Sequence, residues 1–492
     1  MIRSTLEMAE SPERGSTAGV GLADERGHDT RRVVASHSGA FHAEKVAVVG
    51  VGPGGSVAAL VLARAGKSVT CYDPRDILRA TRPSCTGCAG LIQDSCISDL
   101  ESIGLVPPEA VVQRRLRGYV VHLGHGAKMT ILTKRMVSVY RGFGPLESSQ
   151  REIEGFDAWL LSEAIAAGAR FEAAVVNKIE TGVEGEALLS TAVGPDSADF
   201  VIGAFGHSRR LADSVSIAEG ERLDQPTVQR SSVFEFSFGE DFCEKTFGDF
   251  VHVVIVPKRL YPQLNVWFAA FVPKRPGSVS VVVMGRRDVT LRNAQEFFAA
   301  PLAQPLLPSA FAEGDPRLIT TLTSMGGRLQ CVCTKNTVTV APPVRYLLPV
   351  KGGIALVGDA GPTRPFKNGI GAAIDLGARL AEGIIAGDLE SFRQYADKHY
   401  PPDDYKVALQ LLHLHDRVLS LRPIEALLSA LVRYSIPFVS GSAKEYAQHM
   451  LAADIPYGGI LPPGVRTVFR SIARRRTIGE GIELSKRKPE GA

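Results

Sequence analysis

Apolar residues along this chain keep two rhythms. The run KVAVVG, from Lys45, is short and unbroken; a glycine-rich turn follows, then an alanine-rich stretch with helical spacing, then a second short run, SVTCYD. This pattern predicts strand, turn, helix and strand. Alternation in GYVVHLG and KMTILT predicts strands of a half-buried sheet. FDAWLLSEAIAAGA has helical spacing and a glycine near its end, where a helix stop is expected. FEAAVVNKIE, ALLSTAVG and DFVIGAFG read as strands that return to the first sheet. From about Leu211 to Val344 the chain is strand-rich, with SSVFEFSFG, FVHVVIVP, LNVWFAAFVP and SVSVVVMG, and predicts an antiparallel sheet in a second domain. GIALVGDAGPTRPFKNGIGAAIDLGARLAEGIIAG then repeats strand, glycine loop and helix, and the remainder is largely helical with a basic end.

The first glycine turn carries chemistry. Gly50 allows a tight bend, Gly52 lets backbone approach a pyrophosphate, and Gly55 lets helix and strand pack closely. Phosphates would sit on the helix N-terminus, where free N–H groups favour negative charge. Asp73 ends the second strand and is placed for a ribose hydroxyl. These residues predict dinucleotide binding without separating NAD from FAD. In the later loop, Gly358 and Asp359 end a strand, and Gly369, Ile370 and Gly371 open a helix. A second helix N-terminus suits a second part of an extended cofactor, and Asp359 suits ribityl or ribose hydroxyls.

Composition narrows the class. With 492 residues, 45% hydrophobic and 22% charged, the chain is long enough for two or three globular domains. A net charge of +4, with no interleaved basic and aromatic stripe, gives no case for nucleic-acid binding. No apolar run approaches the ~18 residues of a membrane span. Residues 1–43 are polar, lack a signal-peptide core and read as a disordered extension. Seven cysteines without an export signal point to a reducing, cytoplasmic setting.

The two glycine loops, some 300 residues apart, resemble those of FAD-dependent oxidoreductases of the aromatic hydroxylase and geranylgeranyl reductase group. VYRGFGP followed by FDAWLLSEAIAAGARF is similar to that group's Arg and Phe-Asp helix; Arg141 would lie near FAD, with Arg151 the competing choice. DFVIGAFGHSRR resembles a strand ending in Gly-Ala-Asp-Gly, but Phe205 stands in place of the Asp. CTGCAGLI, VYRGFGP and KNGIGAA occur in similar form in the reductase branch. The resemblance implies an α/β fold. A Rossmann-like FAD-binding domain would be split over 44–110, 137–210 and 345–400. An antiparallel-sheet substrate domain would take 111–136 and 211–344, and a helical C-terminal segment 401–492. It also implies a helix dipole at 369 facing the flavin's pyrimidine end.

The same resemblance frames catalysis. YPQLNVWFAAFVPK partly matches a reductase motif lining an isoprenoid channel: Pro262 and Trp267 are present, while Asn265 replaces a Tyr and Ala269 with Ala270 replace Phe-Pro. Trp267 is either a channel residue or packed core. Reductases of the group place a cysteine after the first βαβ unit, where Cys85 and Cys88 fall. These two could protonate substrate or cycle as a disulfide, or join Cys331 and Cys333 around a metal. They could equally be unligated, buried thiols. His413 and His415 fall on different helix faces, which disfavours a shared metal. RTVFRSIARRR is a solvated basic helix or a peripheral contact with an anionic membrane. The expected reaction is reduction of a carbon–carbon double bond in an isoprenoid or other apolar substrate. The electron donor would be NAD(P)H or a redox protein. The alternatives are an FAD monooxygenase and an electron-transfer flavoprotein with a cysteine relay. Trp-x-Trp signals are absent, which disfavours halogenation.

Overall fold

A computed structural model describes residues 41–78, 87–123, 126, 128–142, 155–216, 223–275, 277–308, 328–348, 352–418 and 448–460. Its strands, in chain order, are β1 (Lys45–Val49), β2 (Ser68–Tyr72), β3 (Leu91–Gln93), β4 (Val112–His122), β5 (Lys128–Val139), β6 (Arg170–Glu172), β7 (Val176–Thr181), β8 (Ala187–Thr191) and β9 (Gly194–Ala198), followed by β10 (Phe200–Gly203), β11 (Val215–Ser216), β12 (Thr227–Ser237), β13 (Phe250–Ile255), β14 (Phe268–Pro273), β15 (Ser278–Met284), β16 (Arg328–Ala341), β17 (Leu347–Leu348) and β18 (Gly353–Leu356).

The short apolar runs build a six-stranded sheet in the order β17-β18-β10-β1-β2-β6. All its pairs are parallel except β17 with β18. A parallel sheet is covered on both faces, so its strands need no polar alternation; Val46 to Val49 and Phe200 to Ile202 are all buried. Helix α1 (Pro53–Arg64) is apolar nearly all round because almost every residue in it is buried. It packs beside α2 (Phe156–Ala166) and α3 (Gly369–Ala386).

The return of the middle strands differs from expectation. Arg170–Glu172 and Phe200–Gly203 join the first sheet. Val176–Thr181 and Ala187–Thr191 instead form a separate four-stranded sheet, ordered β11-β7-β8-β9. In β8 buried residues alternate with exposed ones, as a sheet covered on one face requires; in β7 a register shift after Val176 places two exposed residues between buried Val176 and Ile179.

The third sheet has eight strands, ordered β16-β12-β15-β14-β13-β4-β5-β3. It is antiparallel apart from the β4–β13 pair, which is parallel. Strand periodicity divides its residues between two faces. Phe234, Phe236, Ala269, Phe271, Val281 and Val283 lie in a core with Phe297 and Phe298 of α4 (Leu291–Phe298). Tyr119, Val251, Val253, Ala270, Val272 and Val282 belong to a second cluster. The C-terminal part contains α5 (Leu389–His399) and α6 (Asp404–Val418). Among the described residues no helix is long and apolar enough to cross a membrane. The N-terminal extension and RTVFRSIARRR lie outside the described residues.

Candidate functional site

One cavity of about 470 Å³ joins the two glycine loops to the second face of the eight-stranded sheet. The α1 N-terminus contributes Gly52 to Gly54, the second loop contributes Gly358, Asp359 and Phe366 to Ile370, and the sheet contributes Tyr119, Val251, Val253, Phe268, Ala270, Val272, Val282 and Met284.

Gly50 ends β1 at φ 102°, and a Cβ there would fall 2.4 Å from the Ala204 carbonyl oxygen. Its N–H donates to the Tyr72 carbonyl at 2.7 Å, which folds the turn back on β2. Gly55 lies against the Gly50 carbonyl oxygen, 2.1 Å from where its Cβ would be. Gly52 caps α1 with extended backbone. Among the described residues a Cβ there would meet only Arg141 Nη2, at 3.4 Å. The cradle is therefore open on the side where a diphosphate would approach the free N–H groups. Asp73 is buried; its Oδ2 accepts the Val51 N–H at 3.2 Å, and Arg75 Nε and Nη2 donate to the carboxylate at 2.9 and 3.0 Å. The acid thus ties the β2 end to the first loop, the place where ribose hydroxyls would lie.

In the second loop Gly358 takes φ 65° and Asn368, just before α3, takes φ 54°. A Cβ on Gly369 would sit 3.2 Å from Asp359 Oδ1, and one on Gly371 2.4 Å from Asn368 Oδ1. Asp359 is thereby held beside the α3 N-terminus, where the helix dipole favours its negative charge. The flanking Ile370 is buried and lines the same cavity. Arg141 also lines it. Its Nε and Nη2 donate to Asp157 Oδ1 and Oδ2 at 3.0 and 2.8 Å. Burial opposes the Arg141 charge, but the Asp157 carboxylate outweighs it and the guanidinium pKa is raised. Arg141 and the Phe-Asp helix are thus one unit; Arg151, the competing choice, lies outside the described residues.

The cysteines converge in part. Cys88 lines the cavity and its Sγ accepts the Gly90 N–H at 3.3 Å. Burial pushes its pKa up, so it is held as a thiol. A Cβ on neighbouring Gly87 would lie 3.1 Å from Cys333 Sγ, so the C-x-x-C loop and Cys333 meet. Cys333 lies on β16, opposite Val233 of β12, at the edge of the eight-stranded sheet. Both Cys88 and Cys333 are unbridged. Cys85 and the Cys331 side chain lie outside the described residues; among those described, no three His, Cys, Asp or Glu groups are placed to hold a metal ion.

Trp267 does not line the cavity. Its ring meets Phe366 at 5.9 Å and His413 at 5.8 Å, both nearly edge-on, in a cluster with Ala408 and Leu411 of α6. Its neighbour Phe268 takes the cavity position, because successive strand residues face opposite ways.

Several polar residues lining the cavity escaped the sequence reading. Tyr119 is 2% exposed and lines the cavity, yet its hydroxyl has no hydrogen-bond partner. Lys367 donates to the Met450 carbonyl at 3.0 Å, stands 5.0 Å over the Phe268 ring, and has its pKa lowered by burial to about 8. Arg364 stacks on Tyr400, 4.3 Å from the ring centre, and His207 pairs with Thr337 and Thr339 at 2.6 and 2.9 Å. The legible signal was a lysine inside the otherwise small and apolar PFKNGIGAA. Tyr119 carried none.

No protein-family model matches the chain, and no curated protein matches it by sequence. Solved structures do match. A geranylgeranyl bacteriochlorophyll reductase-like protein from Thermoplasma acidophilum superposes with TM-score 0.56 at 16% identity, over 79% of this chain and 90% of that one. The flavin-dependent brominase Bmp2 gives TM-score 0.54 at 15% identity, over 89% and 100%. The p-nitrophenol 4-monooxygenase PnpA from Pseudomonas putida gives TM-score 0.50 at 18% identity, over 88% and 97%. The chain has the α/β fold that these flavoenzymes of the geranylgeranyl reductase and aromatic hydroxylase group share.

Proposed function

We propose that the chain is an FAD-dependent oxidoreductase that acts on an apolar substrate lying on the eight-stranded sheet, and that its reaction is reduction of a carbon–carbon double bond. The observation that carries this reading is the shared cavity: two glycine loops far apart in sequence and one apolar sheet face enclose the same space. The residues fit the cofactor. Gly52 leaves room for a diphosphate, Asp359 lines the cavity as an acceptor for ribityl hydroxyls, and Arg141 holds a positive charge beside the loop; Asp73 is buried outside the cavity lining, at the end of β2, where its carboxylate accepts from Arg75 and Val51. FAD, when bound and reduced by NAD(P)H or a redox protein, supplies a hydride. The chain supplies the surroundings: Val251, Val253, Phe268 and Val282 exclude water and orient the substrate. Cys88, kept protonated by burial, holds a proton in the wall of the cavity.

A monooxygenase reading is favoured by one observation, the unpaired Tyr119 hydroxyl, which suits a polar substrate group. Product mass after anaerobic and aerobic incubation of the reduced protein with candidate lipids and phenols separates the two. A gain of two hydrogens without oxygen supports reduction; incorporation of oxygen overturns it.

A further inference from the structure

Among the described residues, the charge on Lys367 has no counterpart in the wall around it. No carboxylate among them pairs with it, and its contacts are one carbonyl, that of Met450, and the face of Phe268. Asp359 is the carboxylate that lines the cavity, but it lies against Gly369 and exerts its field on Arg141. An ammonium carries three donors, so two point to no protein acceptor among the described residues. Lys367 is half-buried and lines the apolar cavity, and a cation facing apolar surroundings is unfavourable there unless an anion completes it. Tyr119 independently marks the cavity as built for a polar ligand, since its buried hydroxyl is likewise unpaired.

The two groups are not neighbours on the sheet. Tyr119 is level with Val251 on β13, whereas Phe268, under Lys367, is level with Ile255, four residues further along. At ~3.3 Å per residue this is roughly 13 Å along the strands. Between them lie the apolar side chains of Val253 and Ala270.

We propose that Lys367 is the counter-cation for an anionic oxygen of the substrate. The cavity then takes an amphiphile, its oxyanion at Lys367, its apolar chain along β13 and β14, and a polar group at its far end for the Tyr119 hydroxyl. This rests on the reading of the cavity as a flavoenzyme's substrate site. Lys367 is a specificity-determining residue in this proposal.

Decanoate, decanol and decylamine share one chain length and differ in head group. Calorimetric titration of the purified protein, with FAD content read from its visible absorbance, tests the proposal. Decanoate should bind on the order of tenfold or more tighter than decanol, and decylamine weakest. Lys367→Met should abolish the difference and Lys367→Arg should keep it. Lys367→Gln, which retains a donor for Met450, replaces the Met variant if that fails to fold. Equal binding of decanoate and decanol, or an undiminished preference in the neutral variants, overturns the proposal. A neutral variant that shifts the flavin midpoint potential but keeps the head-group preference also overturns it, by assigning the charge to the cofactor. A colourless protein that still prefers decanoate sinks the FAD reading alone.

Discussion

Gly377 and Gly54 touch backbone to backbone: a Cβ on Gly377 would lie 2.4 Å from the Gly54 carbonyl oxygen. This contact sets α3 against α1 and brings both helix N-termini to one cavity. Gly377→Ala gains up to ~1 kcal/mol of helix propensity but must push the helices apart. The expected net result is a loss of about 1–2 kcal/mol in urea unfolding, together with a lower FAD content. An unchanged melt and full FAD would show that the contact does not govern the spacing.

A Cβ on Gly52 would lie 3.4 Å from Arg141 Nη2, whereas the branches of a valine would reach into the space proposed for the diphosphate. Gly52→Ala should retain FAD, while Gly52→Val should emerge colourless yet folded by circular dichroism. Asp359→Ala should weaken FAD by roughly 1–3 kcal/mol. Retention of FAD by the valine variant would move the diphosphate elsewhere.

Half-buried Arg141 and buried Asp157 form a bidentate pair. Arg141→Met leaves the Asp157 carboxylate without its cation and should cost about 3–5 kcal/mol of stability. The double variant Arg141→Met with Asp157→Leu should recover part of that stability but not the FAD. Recovery of both would make the pair purely structural.

Trp267 packs in a core cluster, and its Nε1 is buried without a partner. Trp267→Ala should lower stability by about 3–5 kcal/mol, while Trp267→Phe, which removes that N–H, should cost far less. A variant that stays stable but loses turnover would restore the channel role.

His122 Nε2 and His252 Nδ1 lie 3.0 Å apart on the face of the sheet away from the cavity. Burial lowers their pKa values from 6.5 to about 4 and about 3. Both folded-state values lie below the unfolded one, so their stabilising effect is full above pH 6.5 and is lost as pH falls towards 3. The loss should be on the order of a few kcal/mol. His252→Gln should flatten the slope of urea stability between pH 6.5 and 4; an unaltered slope would place the acid sensitivity elsewhere.

What the sequence disclosed followed from local physics. The β1 turn was legible because Gly50 and Gly55 sit where a side chain would strike backbone, and the second loop because a strand, an acid and a glycine-opened helix recur. Arg141 and Asp157 were legible only through resemblance, since 16 residues separate them and no local rule pairs them. The channel role of Trp267 was undecided in sequence because alternation gives two faces without saying which one meets the cavity. The β7–β8 strands were misassigned because their spacing fits an edge of either sheet. The Gly54–Gly377 contact lay beyond sequence reasoning, as each glycine reads alone as an ordinary interruption of a helix.

The segment 448–460 is tied across the second glycine loop. Met450 and Ala453 carbonyls accept from Lys367 and Asn368, Tyr457 donates to the Pro365 carbonyl at 3.2 Å, and Asp404 accepts the N–H groups of Tyr457 and Gly458. These ties join residues 53 to 92 positions apart. Such ties close long loops, and the entropy of closing them must be met before distant contacts stabilise the fold. On a ribosome the βαβ unit is complete hundreds of residues before its roof emerges, and a nascent chain leaves the Lys367 side of the cavity uncovered until synthesis has passed residue 460. Loading of the proposed FAD would thus have a window in time as well as a place in space.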